Sequence, residues 1–555
     1  MNISENFKIK FLAIVVALNG LLLLDSSLKI NIHSINHLVI SRLYFSLPIL
    51  IGISLVYLSI QLLRAKKTAW FTSITFYLIY LVISLHNLIL HRLIHENLPI
   101  FWIKSIFIPA LIISLLIIWR QNYRVKSDIT GIKISLIMSF TVIFVTLIYG
   151  ISGFLLMDKS AFHRQLSFFN AFHYTVDQFN LTTDTPLIAY TQRAKLFLDS
   201  LSIISLTSLI YVILALFQPL KSRLSDQSSK RQEMITLLNN YPSESEDFFK
   251  LWPYDKHYFL NADKSAGLAY KVSHGIALVL GEPSGRPESF QKLIKDFKDV
   301  CYINDWSISF IHIKNNYHII FTDLDFKLQK IGQEALVDLS HFSNNVKTNK
   351  YFRNIINKFE KQGFSSEILS PPFHPAILKR LKNISDEWLL IPGRNERGFA
   401  MGYFDEKYMN MCQIYVVRDA ANTIQAFLNM VPADFDYKEA TYDLLRHSKE
   451  NISNINDYLL IGFCDYLLNK NYLTLNMGLC PLVGLKTDTR VDKGLITNVL
   501  NFAYSNGNRI YSFSGLYRFK VKYEPIWRDR YIAYQGNVGS FIKTMNALVR
   551  VMKVK

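Results

Sequence analysis

Two patterns of hydrophobic positions divide the chain. Before residue 221 the apolar residues come in long runs, at about 9–28, 38–63, 69–91, 100–120, 131–157 and 197–219. A helix needs roughly 20 apolar residues to cross about 30 Å of hydrocarbon, so the pattern predicts six membrane spans. The first run is long, no small-residue cleavage site follows it, and five more runs come after it, which argues against a cleaved signal peptide. From 246 onward the runs are short. Residues 267–281, 290–301, 306–313 and 317–323 alternate between β-rich and helical patterns. The alternation restarts after 390 with 399–405, 412–419 and 423–432, then a helical stretch at 457–470 and a strand-like one at 472–479. Two successive α/β units of about 150 residues fit this pattern. The expected organisation is a membrane domain at 1–220, a linker at 221–245, and α+β units at 246–390 and 391–555.

The polar loops orient the spans. Lys8 and Lys10 precede the first; Arg64, Lys66 and Lys67 fill the second loop; Arg120, Arg124, Lys126 and Lys133 surround the fourth; Lys221, Arg223, Lys230 and Arg231 follow the sixth. The alternate loops mix signs: Asp25 with Lys29, Arg92 with Glu96, and Asp158, Lys159, Arg164, Asp177 and Asp184. Positive loops stay in the cytoplasm, so everything after 221 is expected there. The linker is Ser-rich and basic at its start, suited to an anionic leaflet.

Composition sharpens this. Of 555 residues, 61 are Lys or Arg and 43 are Asp or Glu, a formal net charge of +18 that points to anionic partners such as phospholipid or nucleic acid. Only 19% are charged, which excludes a disordered chain. Cys301, Cys412, Cys464 and Cys480 lie far apart, as free thiols in a reducing compartment would.

Several chemistries are absent. There is no phosphate-binding G-x-x-x-x-G-K-[ST], no H-E-x-x-H and no G-x-S-x-G. His33/His37 and His91/His95 have helical metal-ligand spacing but no acidic cluster beside them and sit at span edges. Residues 281–287, rich in Gly and Pro, read as a turn. The informative stretches are 442–446 and 515–531. In the second, Arg518, Lys520, Lys522, Arg528 and Arg530 interleave with Tyr517, Phe519, Tyr523, Trp527 and Tyr531. Cations meet phosphates and rings stack on bases, so the pattern suits a single-stranded nucleic-acid end. As a strand it would align Arg518, Lys520 and Lys522 in one cationic row; a merely solvated basic face is the plain alternative.

These stretches, together with Leu280–Pro283, Lys330–Ala335, Ile384–Leu389, Gly398–Gly402, Ala426–Asn429, Asp443–Arg446 and Leu475–Leu482, resemble the bacterial multiple peptide resistance factors, the aminoacyl-phosphatidylglycerol synthases. Glu282 stands where that family usually has Asp, and Cys480 where it has Ala. Full-length members carry a further block of helices that flips the product lipid outward; the six spans match only the helices adjoining the synthase. The resemblance implies a soluble part of two tandem acetyltransferase-like (GNAT-like) folds. It also implies transfer of an amino acid, lysine first, alanine or arginine next, from aminoacyl-tRNA to phosphatidylglycerol. That lowers the negative charge of the bacterial cytoplasmic membrane and gives resistance to cationic antimicrobial peptides. The partners implied are aminoacyl-tRNA, phosphatidylglycerol with other anionic lipids, and a second copy of the chain. No cofactor and no metal are called for, because the aminoacyl ester is already activated.

On this resemblance the catalytic residues are Asp443, Arg446 and Lys520. Asp443 would bind the amino acid's ammonium or orient the attacking hydroxyl. Arg446, one turn on if the segment is helical, would hold the lipid phosphate or the oxyanion. Glu396, Lys522, Arg518, Arg528, Arg530 and Tyr531 are the substrate-binding set, the basic ones facing tRNA. Asp386 matches a family motif without an assigned role. Two other readings remain: a transporter or flippase with a regulatory soluble domain, and another transferase of the same fold. The first would need buried charges within the spans, and their centres are nearly charge-free.

Overall fold

The computed structural model describes residues 3–32, 47–91, 106–125, 129–180, 188–215, 228–432, 438–449, 452–484 and 513–554. The chain forms two compact units, 1–221 with 302–305, and 222–301 with 306–555.

The first unit is helical. Helices Ile3–Ile32, Leu47–Leu63, Lys67–His91, Ile108–Ile118, Ile129–Leu156 and Gln192–Ala215 overlap the six apolar runs. Ile9, Leu12, Ala13 and Val16 pack with Leu55, Leu58 and Leu62. The first two helices approach so closely at Gly20 that a Cβ there would lie 2.8 Å from the Gly52 carbonyl. A second cluster joins Phe154, Phe162, Ala171, Phe197 and Leu201. Among the described residues no helix is long and apolar enough to cross a membrane. The expected six-span domain is therefore not carried by the structure. Parts of the runs 38–63, 100–120 and 197–219, like His33, His37 and His95, lie outside the described residues.

The second unit is built on one mixed sheet. Its strands are β1 (His257–Leu260), β2 (Ala266–Ser273), β3 (Ile276–Leu280), β4 (Ser284–Gly285), β5 (Ser307–Lys314), β6 (Lys327–Asp338), β7 (Ser365–Leu369), β8 (Gln413–Arg418), β9 (Ile424–Met430), β10 (Glu439–His447), β11 (Thr474–Pro481) and β12 (Ile526–Tyr534). Their order is β1-β2-β3-β5-β12-β6-β11-β10-β9-β8-β7, with β4 paired to β2. The pairs β3–β5 and β10–β11 are parallel. Successive side chains of a strand point to opposite faces. Phe427 and Leu428, both fully buried, accordingly enter two different cores. Both faces are covered, which is why the central strands read as continuous apolar runs. Helix Lys350–Lys361 covers one face with Phe352, Ile355 and Phe359. Helix Pro375–Leu389 covers the other with Leu378, Leu381 and Ile384; its first turn is set by Pro375 and by His374, whose ring accepts from the Ala376 N–H.

Three sequence expectations change. A boundary at 390/391 does not divide the sheet: β7 pairs with β8, and β12, near the C-terminus, lies between β5 and β6. The segment 442–446 is strand, not helix, held by pairing with β9. Residues 513–521 are helix, not strand. There Phe519 and Tyr523, four apart, pack together with Tyr523 on Phe342 and Phe352, and this packing overrides the local alternation. The linker also differs: 228–240 is helical and Ser245–Lys250 forms a buried 3-10 turn.

Candidate functional site

The second parallel pair is where the sheet opens. β10 and β11 are in register only over Glu439–Thr441 and Thr474–Asn476. Just beyond, each strand carries one extra residue against its outer neighbour. On β10 the register with β9 shifts between Tyr442 and Leu445; on β11 the register with β6 shifts between Asn476 and Leu479. A bulge bends its strand and increases its twist, so two bulges facing outward at one level leave a cleft between the strands. Asn429 holds the first, its side-chain oxygen accepting from the Leu444 N–H at 2.7 Å. Gly478, at φ 78°, makes the second, its N–H donating to the Asn476 side chain at 2.8 Å.

The first bulge also explains the spacing of two charged residues. In a regular strand, residues three apart face opposite ways. The extra residue brings Asp443 and Arg446 to one side, the relation that a helix was expected to supply. Asp443 Oδ2 accepts from the Gly402 N–H at 2.8 Å and the Tyr408 hydroxyl at 2.9 Å. Position 402 has to be glycine, because a Cβ would stand 2.2 Å from that oxygen. Tyr408 is fixed by stacking on Trp252, ring centroids 5.0 Å apart. Burial pushes the Asp443 carboxyl up to about 6, against its hydrogen bonds and Arg446, which pull it down.

Arg446 is 3% exposed. Its guanidinium makes a two-pronged bond to Glu396, at 3.0 and 2.8 Å, and donates to Ser385. It lies over the Trp388 ring at 4.9 Å. Glu396 also accepts from the Phe404 N–H at 3.3 Å. Loop 390–404 is thereby tied to both charges, through Glu396 and Gly402. The structure thus brings three expected residues, Asp443, Arg446 and Glu396, into one site.

The other expected residues are dispersed. Lys520 is buried against β11, donating to the Gly478 and Leu479 carbonyls at 2.8 and 3.2 Å, and burial lowers its pKa. Lys522 pairs with Asp457 at 2.5 Å, and Arg518 is exposed on its helix. The expected row of Arg518, Lys520 and Lys522 does not form, since residues two apart on a helix diverge. Arg528 reaches Glu439 at 3.4 Å. It also lines a cavity of about 740 Å³ with Lys314, Asn315, Asn316, Gln333, Trp527 and Asp529. Trp527 stacks on Tyr517 there, centroids 5.3 Å apart. Tyr531 is buried, its hydroxyl 3.3 Å from Asp529. Asp386 faces solvent and pairs with Lys382.

Arg530 is fully buried, not a surface cation. It donates to Glu244 at 2.6 Å and to Glu334 at 2.5 Å. Around it lies an ionic network absent from the sequence reading. His312 Nδ1 is 3.4 Å from Glu246 and its Nε2 3.0 Å from Glu334. These three bring possible ligand atoms within 4.8 Å of one another. A carboxylate on each ring nitrogen, with Arg530 on the same Glu334, is the arrangement of a protonated imidazole between two acids. Burial opposes that charge, but Glu246 and Glu334 outweigh it and raise the pKa of His312. Burial, then Glu334, pushes Glu246 up to about 8. The turn at 281–287 proves structural: Glu282 accepts from the Lys314 N–H at 2.6 Å, and a Cβ at Gly285 would strike the Ser265 carbonyl at 2.2 Å. Sequence reasoning also missed Tyr408, Ser385 and Trp388. The last two lie inside a matched motif, which was the available signal.

Residues 235–534 match the family model described as phosphatidylglycerol lysyltransferase, C-terminal. The chain belongs to that family. It is 33% identical over 284 residues to a phosphatidylglycerol lysyltransferase of Bacillus subtilis strain 168, covering 51% of this chain and 32% of that protein. To one of Staphylococcus aureus strain MSSA476 it is 29% identical over 330 residues, covering 59% and 38%. The chain thus spans about a third of the length of these curated lysyltransferases. Among solved structures it resembles L-PGS from Bacillus licheniformis, with 31% identity, TM-score 0.51, and coverage of 58% of this chain and 96% of that one. The C-terminal domain of a putative lysylphosphatidylglycerol synthetase from Agrobacterium fabrum shares the fold at 23% identity and TM-score 0.50, covering 59% and 98%. The lysyltransferase match takes in the whole cleft, from Glu246 through Asp443 to Arg530.

Proposed function

We propose that the protein transfers an aminoacyl group, lysyl first among the candidates, from aminoacyl-tRNA to a glycerol hydroxyl of phosphatidylglycerol. The observation that carries this reading is the bulged strand that sets Asp443 and Arg446 side by side at the mouth of the β10–β11 cleft. The reaction exchanges one ester for another, so no nucleotide hydrolysis is needed. Asp443, with a pKa near neutrality, takes the proton of the attacking lipid hydroxyl as its oxygen bonds to the ester carbonyl. It returns that proton to the ribose oxygen as the old ester bond breaks. Arg446 supplies a fixed double donor for the oxyanion or the lipid phosphate, which would displace Glu396 from the same two nitrogens. Lys520 keeps the opposite wall in place through the Gly478 and Leu479 carbonyls.

The cavity beside Trp527 suits the acceptor end of tRNA: a ring for stacking, Lys314 and Arg528 for phosphate, amides for base edges. The helical unit suits a bilayer. Along helix Ile129–Leu156 large apolar side chains are exposed, with Phe140 72%, Phe144 64% and Leu156 85% exposed, a surface that water disfavours. A cytoplasmic cleft on a membrane-associated chain would have both tRNA and lipid within reach. Attaching lysine adds two ammonium groups to an anionic headgroup, lowering the charge that draws cationic peptides.

The test is transfer from radiolabelled lysyl-tRNA by the full chain in phosphatidylglycerol vesicles, with alanyl- and arginyl-tRNA alongside. Label is expected in the lipid phase with at least one of the three. No label with any of them, from folded protein, overturns the proposal.

A further inference from the structure

The short turn Ser245–Lys250 begins where the helix Ser228–Asn240 has ended. The expected linker reaches to 245, yet Glu244 and Ser245 are buried, as are Asp247 and Lys250 beyond it. Two adjacent residues of this strap reach the two walls of the cleft separately. Ser245 donates to Glu439, the first residue of β10, from its N–H at 3.3 Å and its hydroxyl at 2.7 Å. Glu246 reaches β11: a Cβ on Gly478 would lie 3.9 Å from Glu246 Oε1 and 3.9 Å from Lys520 Nζ. The carboxyl group and the ammonium thus flank the same bulge glycine.

We infer that Glu246 is a positioning residue of the transfer cleft: it holds Lys520, and through it the β11 bulge, while Ser245 holds the head of β10. The strap fixes both strands at the level where they part, and so sets the width of the opening. The physical need is plain. The Gly478 and Leu479 carbonyls are taken up by a buried ammonium. A buried ammonium needs polar partners around it, and beside Lys520 stand Cys480, Glu246 and Glu334. Glu334 is held by Arg530 and His312 at 2.5 and 3.0 Å and Glu246 by His312 at the longer 3.4 Å, which makes Glu246 the more adjustable partner. The groups facing Glu246 are His312 on β5, Glu334 on β6, Arg530 on β12, Lys520 on the 513–521 helix and Glu244 on its own strap.

The inference rests on the transfer reading for its activity readout, so a second readout is independent of activity. Hydrogen exchange of residues 476–481 is measured on the full chain in lipid nanodiscs, for wild type, Glu246→Ala and Glu246→Gln. Glu246→Ala is expected to speed exchange of this segment about tenfold, as a local opening would. Glu246→Gln, which keeps the shape and hydrogen bonding of the protonated acid, is expected to restore it to within about twofold. In the transfer assay Glu246→Ala is expected to lower kcat about tenfold with little change in KM for lipid, and Glu246→Gln to rescue it. Wild type should lose rate as pH rises through about 8, where Glu246 ionises beside Glu334; Glu246→Gln should not. Unchanged exchange in Glu246→Ala overturns the inference whatever the rates. So does an equal loss in both variants that follows melting temperature. If wild type transfers nothing, the functional proposal falls, and the exchange result still decides this one.

Discussion

The sheet contains two parallel pairs, and they solve one problem in opposite ways. β3 and β5 pair from Ile276–Ser307 to Leu280–Ile311, and then β5 bulges at His312. Beyond that point the Lys314 N–H is satisfied by the Glu282 side chain, and Lys314, His312 and Arg530 meet Glu244, Glu246 and Glu334. The opening is filled with the chain's own ions. β10 and β11 separate in the same way, but there the charges line a mouth, with Glu396 alone engaging Arg446 as an anion would. Polar atoms released from a ladder have to be satisfied by something. Where the chain's own ions fill the opening, the result is a strut; where one partner is exchangeable, the result is a site.

That contrast can be broken by mutation, and the largest effect is expected in the open cleft. Arg446→Ala and Asp443→Asn should each cut transfer a hundred- to a thousandfold, the loss typical of a donor aimed at developing charge, with melting temperature little changed for Asp443→Asn. The filled opening should answer in stability instead. Arg530→Met leaves Glu244 and Glu334 buried without their cation, a change that costs about 3–5 kcal/mol; denaturant unfolding measures it. Adding Glu334→Gln to Arg530→Met should recover part of the loss. A third effect is on pH. Asp443 must be ionised to accept a proton, so kcat should fall about tenfold per unit below pH 6 and level off between pH 6 and the decline expected near pH 8. The smallest effect belongs to the exposed cation: Arg518→Ala should leave kcat near normal and flatten the salt dependence of tRNA binding by about 0.7 if it meets one phosphate.

The α+β class of the C-terminal part was readable in the sequence, because motif residues cluster where backbone and chemistry are both constrained. The motifs single out Asp443, Arg446 and Glu396, which the structure places together, and the Gly398–Gly402 segment whose Gly402 N–H bonds Asp443. Their geometry was not legible. A bulge gives i and i+3 the shared face that a helix would give, and nothing in Tyr-Asp-Leu-Leu-Arg distinguishes the two without the pairing to β9. The interleaved cations of 518–530 illustrate a second limit. Arg530 and Lys520 look like surface charge in sequence, and only their distant partners, Glu244 and Glu334 for one and the Gly478 and Leu479 carbonyls for the other, make them interior. The strap was hidden for the same reason: Glu244 falls in the expected linker and Glu246 just past it, and neither reads as interior until Arg530, His312 and Lys314, far along the chain, are set against them.

The central claim is that Asp443 and Arg446 form a centre that aminoacylates a lipid. It is tested most directly by mass spectrometry of lipids from cells lacking such an activity of their own, expressing either the full chain or Arg446→Ala at matched levels. Phosphatidylglycerol heavier by one amino-acid residue, present with the full chain and absent with the variant, is the predicted result. Unmodified phosphatidylglycerol in both, or equal amounts of the heavier lipid in both, would contradict it.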